Sequence, residues 1–228
     1  MVKTGASQSK GSASRVRCSR VLGLALLAAL LSSACASTPK TRYYTLRTPP
    51  PPSVLSSQTH FTLQVERFDV PDLLLDHRII YYRSQNELNF HEYHRWSSDP
   101  GEMLSDVAMK FFAETHLFHQ VFAFPAPIKA DYTLRGRVLD LSELKYDKGS
   151  QGSSGTALLA LKLDLLQTQQ NKVVWSARLK RTAPIDGNDP EATVNAMSIA
   201  TDRLFEDAYS GISQVVKHEV AVEQEQAH

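Results

Sequence analysis

Five histidines, His77, His91, His94, His116 and His119, lie between positions 77 and 119. Imidazole is a common metal ligand and general base, so this concentration invites a test of spacing. The helical zinc-protease pattern needs two histidines at i and i+4. His91-Glu92-Tyr93-His94 sets them three apart, in a run with strand composition. On a regular strand, positions 91 and 94 point to opposite faces. Asp69, Asp72 and Asp76 surround Pro71 and could bind a cation or perform acid–base chemistry; a solvated loop with turn and capping roles is the preferred account of them. There is no Gly-x-Ser-x-Gly run, and the glycine-rich segment 149–155 lacks the lysine of a phosphate loop and precedes a strand. These patterns predict no catalytic residue, no metal and no cofactor.

The residue with the clearest chemistry is a cysteine. Val21 to Leu31 is an apolar run behind Lys3, Lys10, Arg15, Arg17 and Arg20, and it ends in Ser32-Ser33-Ala34-Cys35. A basic start, a short apolar core and small residues form a signal peptide, too short for the roughly 20 residues of a spanning helix. Cys35 sits where a bacterial lipoprotein is cut and acylated, although Ser32 occupies the place usually held by leucine. Cys18 would leave with residues 1–34, so the mature chain would keep no free thiol and no disulfide, which suits an oxidising periplasm. Three acyl chains, at about 0.8 kcal/mol per buried methylene, would hold the protein firmly. Ala36 rather than Asp follows the cysteine; by resemblance to Gram-negative lipoproteins, this implies sorting to the outer membrane.

The full chain has 25 Lys+Arg against 24 Asp+Glu. Loss of a leader with five of the cations and none of the anions leaves the mature part at about −4. No basic face for nucleic acid is implied. Residues 35–59 read as a lipidated cysteine and tether, stiffened by Pro49-Pro50-Pro51-Pro52, with Thr41 to Leu46 as a short docking strand. Residues 60–217 are long enough for one domain with its own core. Residues 218–228 read as a polar, frayed tail.

Alternation predicts a strand at Phe61–Phe68. Arg78–Arg83 and Glu87–Tyr93 form a hairpin around Ser84-Gln85-Asn86. Asp99-Pro100 starts a helix that ends near His116. Phe118–Phe124 and Tyr132–Leu141 follow as strands. Thr156–Thr168 and Lys172–Thr182 make a second hairpin around Gln169-Gln170-Asn171. Asp189-Pro190 starts a second helix, with an apolar stripe through Val194, Met197, Ala200, Leu204, Ala208, Ile212 and Val215. The fold class is α+β, a mainly antiparallel sheet with two principal helices packed on one face. Trp96 reads as a core plug before the first helix, and Trp175 as packing against the second. Arg78, Tyr81, Tyr82 and Arg83 are candidate partner-binding residues, because tyrosine and arginine favour interfaces; half-buried strand tyrosines would look the same.

The order of features resembles the ABC-type transport auxiliary lipoprotein family, of the PqiC-like kind. The matching strings are Tyr43-Tyr44-Thr45-Leu46, Val70-Pro71-Asp72-Leu73-Leu74-Leu75-Asp76, Ile79-Ile80-Tyr81-Tyr82-Arg83 and Arg95-Trp96-Ser97-Ser98-Asp99-Pro100. Phe118-His119-Gln120-Val121, Ala130-Asp131-Tyr132-Thr133-Leu134-Arg135-Gly136, Val173-Val174-Trp175 and Ala192-Thr193-Val194-Asn195-Ala196-Met197 continue in register. The usual Leu-Asp-Arg appears as Leu75-Asp76-His77-Arg78. The resemblance implies a non-enzymatic outer-membrane lipoprotein. It would dock an MCE-domain protein served by an inner-membrane permease and ATPase, in a lipid transport system between the membranes. It also implies a possible homo-oligomer. The alternatives are an outer-membrane lipoprotein regulating envelope assembly or a cell-wall synthase, and a periplasmic hydrolase using Asp69–Asp76.

Overall fold

The computed structural model describes residues 39–47, 58–146 and 155–226. Cys35, the signal segment and the proline run lie outside them. Thr41–His228 clusters as one compact unit. Its strands are β1 (Arg42–Tyr44), β2 (Thr62–Val65), β3 (Arg78–Ser84), β4 (Glu87–Trp96), β5 (Gln120–Ala123), β6 (Tyr132–Leu144), β7 (Thr156–Gln167) and β8 (Lys172–Pro184). The helices are α1 (Pro100–Glu114) and α2 (Pro190–Gln226), with a 3-10 turn at Asp72–Leu74. The architecture is α+β.

The sheet is mixed. Its long ladders, β6–β7 and β7–β8, are antiparallel, as is β3–β4. The shorter pairs β1–β4, β2–β5, β2–β6 and β3–β6 are parallel. On one side β6 is paired along its length by β7. On the other it is shared, with β2 against Leu63↔Tyr132 to Val65↔Leu134 and β3 against Ile80↔Ser142 to Tyr82↔Leu144. The sheet therefore forks into a β2–β5 branch and a β3–β4–β1 branch. Phe68 and Asp69 fill the fork: Asp69 N donates to Gly136 O at 2.9 Å and Val138 N donates to Asp69 O at 2.8 Å. Gly136 is required there, because a Cβ would lie 2.4 Å from the Phe68 ring.

Period-two alternation explains the ladder. Ala157, Leu159, Leu161, Leu163 and Leu165 are fully buried, while the residues between them, save Leu158 and Leu166, are partly accessible. Both helices cover this core and meet through Phe111 and Phe205, whose ring centroids are 5.9 Å apart. Asp99 caps α1, accepting from Gly101 N at 2.8 Å and Glu102 N at 3.1 Å, with Pro100 as the first helical residue. Burial would raise its carboxyl. The Arg67 guanidinium at 3.0 Å and the two helix amides outweigh that and hold it below the usual carboxylate range. Asp189 repeats the device, accepting from Ala192 N at 2.7 Å. α1 is followed by His116 in the left-handed region, φ 54°, a common helix stop.

The predicted frayed tail needs correction: α2 continues through residues 218–226 to Gln226. Its glutamates, glutamines and alanine are good helix formers, Val216 is buried and Val220 packs on the core. His60 Nε2 lies 3.1 Å from Glu223 Oε2. Trp96 is buried as a core plug, at 1% exposure. Trp175 packs on α2 at Gly211, where a Cβ would come within 2.4 Å of its Nε1.

Candidate functional site

The β3–β4 hairpin carries the candidate residues, and a bulge decides how they are grouped. Arg78 pairs with Arg95 but Ile80 pairs with Phe90, so β4 spends extra residues between them. This overturns strict alternation at His91 and His94. Their rings are 6.0 Å apart rather than on opposite faces.

A connected cluster results. His91 Nε2 donates to Glu143 Oε2 at 2.8 Å, with both side chains largely buried. The ring of Tyr81 lies 4.8 Å from that of His91. Lys145 Nζ stands 4.0 Å over the Tyr81 ring and Arg83 Cζ stands 6.0 Å from it. On the other side, Tyr44 Oη and His94 Nδ1 are 2.9 Å apart. Burial, with repulsion from His91 and Arg42, holds His94 below the usual histidine range. That favours a neutral ring, which can accept the phenol proton at Nδ1.

Of the four predicted residues, Tyr81 and Arg83 meet in this cluster. Arg78 has another task. It donates to Asp76 Oδ2 through Nε (2.8 Å) and Nη2 (2.5 Å), and to Glu92 Oε2 through Nη1 (3.1 Å), over the Phe90 ring. Arg95 Nη1 also reaches Asp76, at 3.3 Å. The Arg78 hydrogen bond, against opposing burial, holds the Asp76 carboxyl below its usual range. Tyr82 packs against the core, and burial together with Asp140 pushes its phenol up. Cys35 lies outside the described residues.

The three aspartates serve separate roles. Asp69 bridges the fork, Asp72 begins the 3-10 turn and Asp76 holds two arginines. Among the described residues, no three His, Cys, Asp or Glu side chains converge as a metal site. His77 and His116 occupy left-handed positions, φ 63° and 54°, and His119 is exposed. Glu143 and Lys145 went unnoticed in the sequence, and Tyr44 reads there only as part of a short docking strand. They lie far from β3 along the chain, and no local pattern joins them. The cluster fixes aromatic rings and cations at a surface, an arrangement suited to recognition by stacking and cation–π contact.

Residues 44–208 match the family model described as ABC-type transport auxiliary lipoprotein component. The chain belongs to this family. It is a family of transport auxiliary components rather than enzymes, and a lipoprotein family implies a lipid-anchored place in the cell envelope. No curated protein matches the sequence. The fold is similar to the crystal structure of a Xanthomonas campestris protein, with TM-score 0.68 and 19% identity, over 79% of this chain and 99% of that one. A second crystallised protein, described as uncharacterised, gives TM-score 0.60 and 15% identity over 76% and 99%. Among the described residues no helix is long and apolar enough to cross a membrane.

Proposed function

We propose that this protein is held on the periplasmic face of the outer membrane by acylated Cys35. There it acts as the non-enzymatic docking component of an MCE-type ABC lipid transport system. The observation that carries the reading is family membership over residues 44–208, which supplies the transport role and the lipoprotein character. Six residues separate Cys35 from Arg42, so the chain takes seven residue steps between them. At about 3.3–3.6 Å per residue they reach roughly 25 Å, so β1 would stay near the bilayer. Such confinement raises the effective concentration of a partner that crosses the periplasm.

Tyr81 and Arg83, joined by Lys145, are the proposed contacts with the MCE-domain protein. Arg78 orders the base of the hairpin, and Tyr82 anchors it from the core side. A homo-oligomer fits the same reading, since β1, β5 and β8 are open edges of the sheet among the described residues. The test is affinity capture of the full chain from detergent-solubilised membranes. Co-purification of an MCE-domain protein, lost on Arg83→Glu, is the expected result. Recovery of cell-wall synthases in its place would decide for the regulatory alternative. Palmitate labelling of the wild type but not of Cys35→Ser tests the anchor.

A further inference from the structure

Among the described residues β1 is an edge strand, paired only with β4. Tyr44 O points toward β4, accepting from Ser97 N, the residue after that strand, at 2.7 Å. In a parallel pair successive residues turn their backbone groups to alternate sides, so those of Tyr43 and Thr45 face away from β4. Arg47 N lies on that outer side and donates to Ser198 Oγ of α2 at 3.2 Å, closing one end. Between this edge and α2 runs a groove of about 990 Å³. A second hollow of about 570 Å³ adjoins it, sharing Glu191, Asn195 and Ile199.

The groove is acidic. Glu191, Asp202 and Glu206 line the first part, and Asp186 and Asp189 extend it, against Arg47 and Arg203. Asp202 and Glu206 are like charges one turn apart on α2, an unfavourable pair without a cation between them. Asp202 Oδ1 is buried with no hydrogen-bond partner among the described residues, and burial with the nearby Glu206 pushes its carboxyl up. Tyr43, at 66% exposure, and Ile199, at 47%, add apolar surface to the same walls.

We propose that the groove between β1 and α2 binds an extended, lysine- or arginine-rich segment of a partner protein as an added strand on the free edge of β1. Backbone hydrogen bonds to Tyr43 and Thr45 would supply register. Cations on alternate positions would meet Glu191, Asp202 and Glu206, and Tyr43 and Ile199 would cover the apolar stems. Charge selects this occupant, because five carboxylates against two arginines repel an acidic strand. The inference does not depend on which transport system the protein serves.

The test uses the full chain in detergent micelles and a fluorescent ten-residue peptide alternating lysine with threonine, read by anisotropy. Saturable binding that weakens with salt is expected. Exchanging the lysines for glutamate, or placing prolines at the centre to remove backbone donors, should abolish it. Glu206→Lys, at an exposed position, should weaken binding at least about tenfold. Asp69→Lys, the same charge change at the sheet fork, should leave it unaltered. Equal binding of the lysine and glutamate peptides, or equal effects of the two substitutions, overturns the proposal. So does self-association of the chain that Glu206→Lys abolishes, which would make a second copy, through a β8 edge that carries Lys172, Arg178, Lys180 and Arg181, the occupant.

Discussion

The β6–β7–β8 ladder and the β3–β4–β1 branch share one sheet but are held by different forces. In the ladder each register shifts once, and a row of fully buried leucines lies on the strand that α2 packs against. In the branch the β3–β4 register shifts twice, β1 is three residues long, and the side-chain contacts are phenol–imidazole, imidazole–carboxylate and guanidinium–carboxylate. Burial of apolar surface is non-directional and indifferent to mild changes of pH. Hydrogen-bonded rings and ion pairs are directional and respond to protonation. The ladder therefore provides stability, while the branch provides a shaped, charged surface near the residues that lead back to Cys35.

The sharpest way to break this contrast is Leu163→Ala. Removing a fully buried ladder side chain should cost about 2–5 kcal/mol, read as a lower denaturant midpoint with one cooperative transition. A separate early transition confined to β7–β8 would contradict the assignment of stability to the ladder. Gly211→Leu should follow, at about 1–3 kcal/mol, because a side chain there must push Trp175 off α2. The accompanying signal is a red shift in tryptophan emission.

Asp99→Ala removes the α1 cap and should cost about 1 kcal/mol in chemical denaturation. The folded-state pKa of Asp99 lies below its unfolded value, so its contribution is complete above about pH 4. It is lost as pH falls through the folded value, and Asp99→Asn should flatten that acid limb.

The smallest effects belong to the branch. His94 is also held below its unfolded value, so the neutral ring's contribution is complete above about pH 6.5 and erodes as pH falls toward the folded value. Hydrogen-exchange protection at Tyr43–Leu46, corrected for the intrinsic pH dependence of amide exchange, should fall across that window while protection at Leu161 stays unchanged. Tyr44→Phe should cost about 0.5–1.5 kcal/mol and speed the same amides at neutral pH. Equal acceleration in the ladder would show that the two regions do not differ as described.

Much of the framework was legible because its signals are local. The Asp99-Pro100 and Asp189-Pro190 starts, the hairpin turns at Ser84-Gln85-Asn86 and Gln169-Gln170-Asn171, and the alternation through β7 each act within a few residues. The candidate surface was legible only in part. Tyr81 and Arg83 announced themselves by type, and so did Arg78, but nothing near it distinguished an arginine tied to Asp76 from one free to meet a partner. His91 and His94 were noticed and then assigned to opposite faces by a rule that a bulge suspends.

The sequence alone determined the α+β class, the two capped helices and, through the run ending at Cys35, the expectation of a lipid anchor. Periodicity, capping and the leader pattern are properties of contiguous residues. Tertiary structure decided the fork filled by Phe68, the parallel seating of β1, the extension of α2 to Gln226 and the gathering of Tyr44, Tyr81, His94, Glu143 and Lys145. Each of these depends on which strand lies beside which. That choice is made by burying the whole core at once, and no short stretch of chain encodes it.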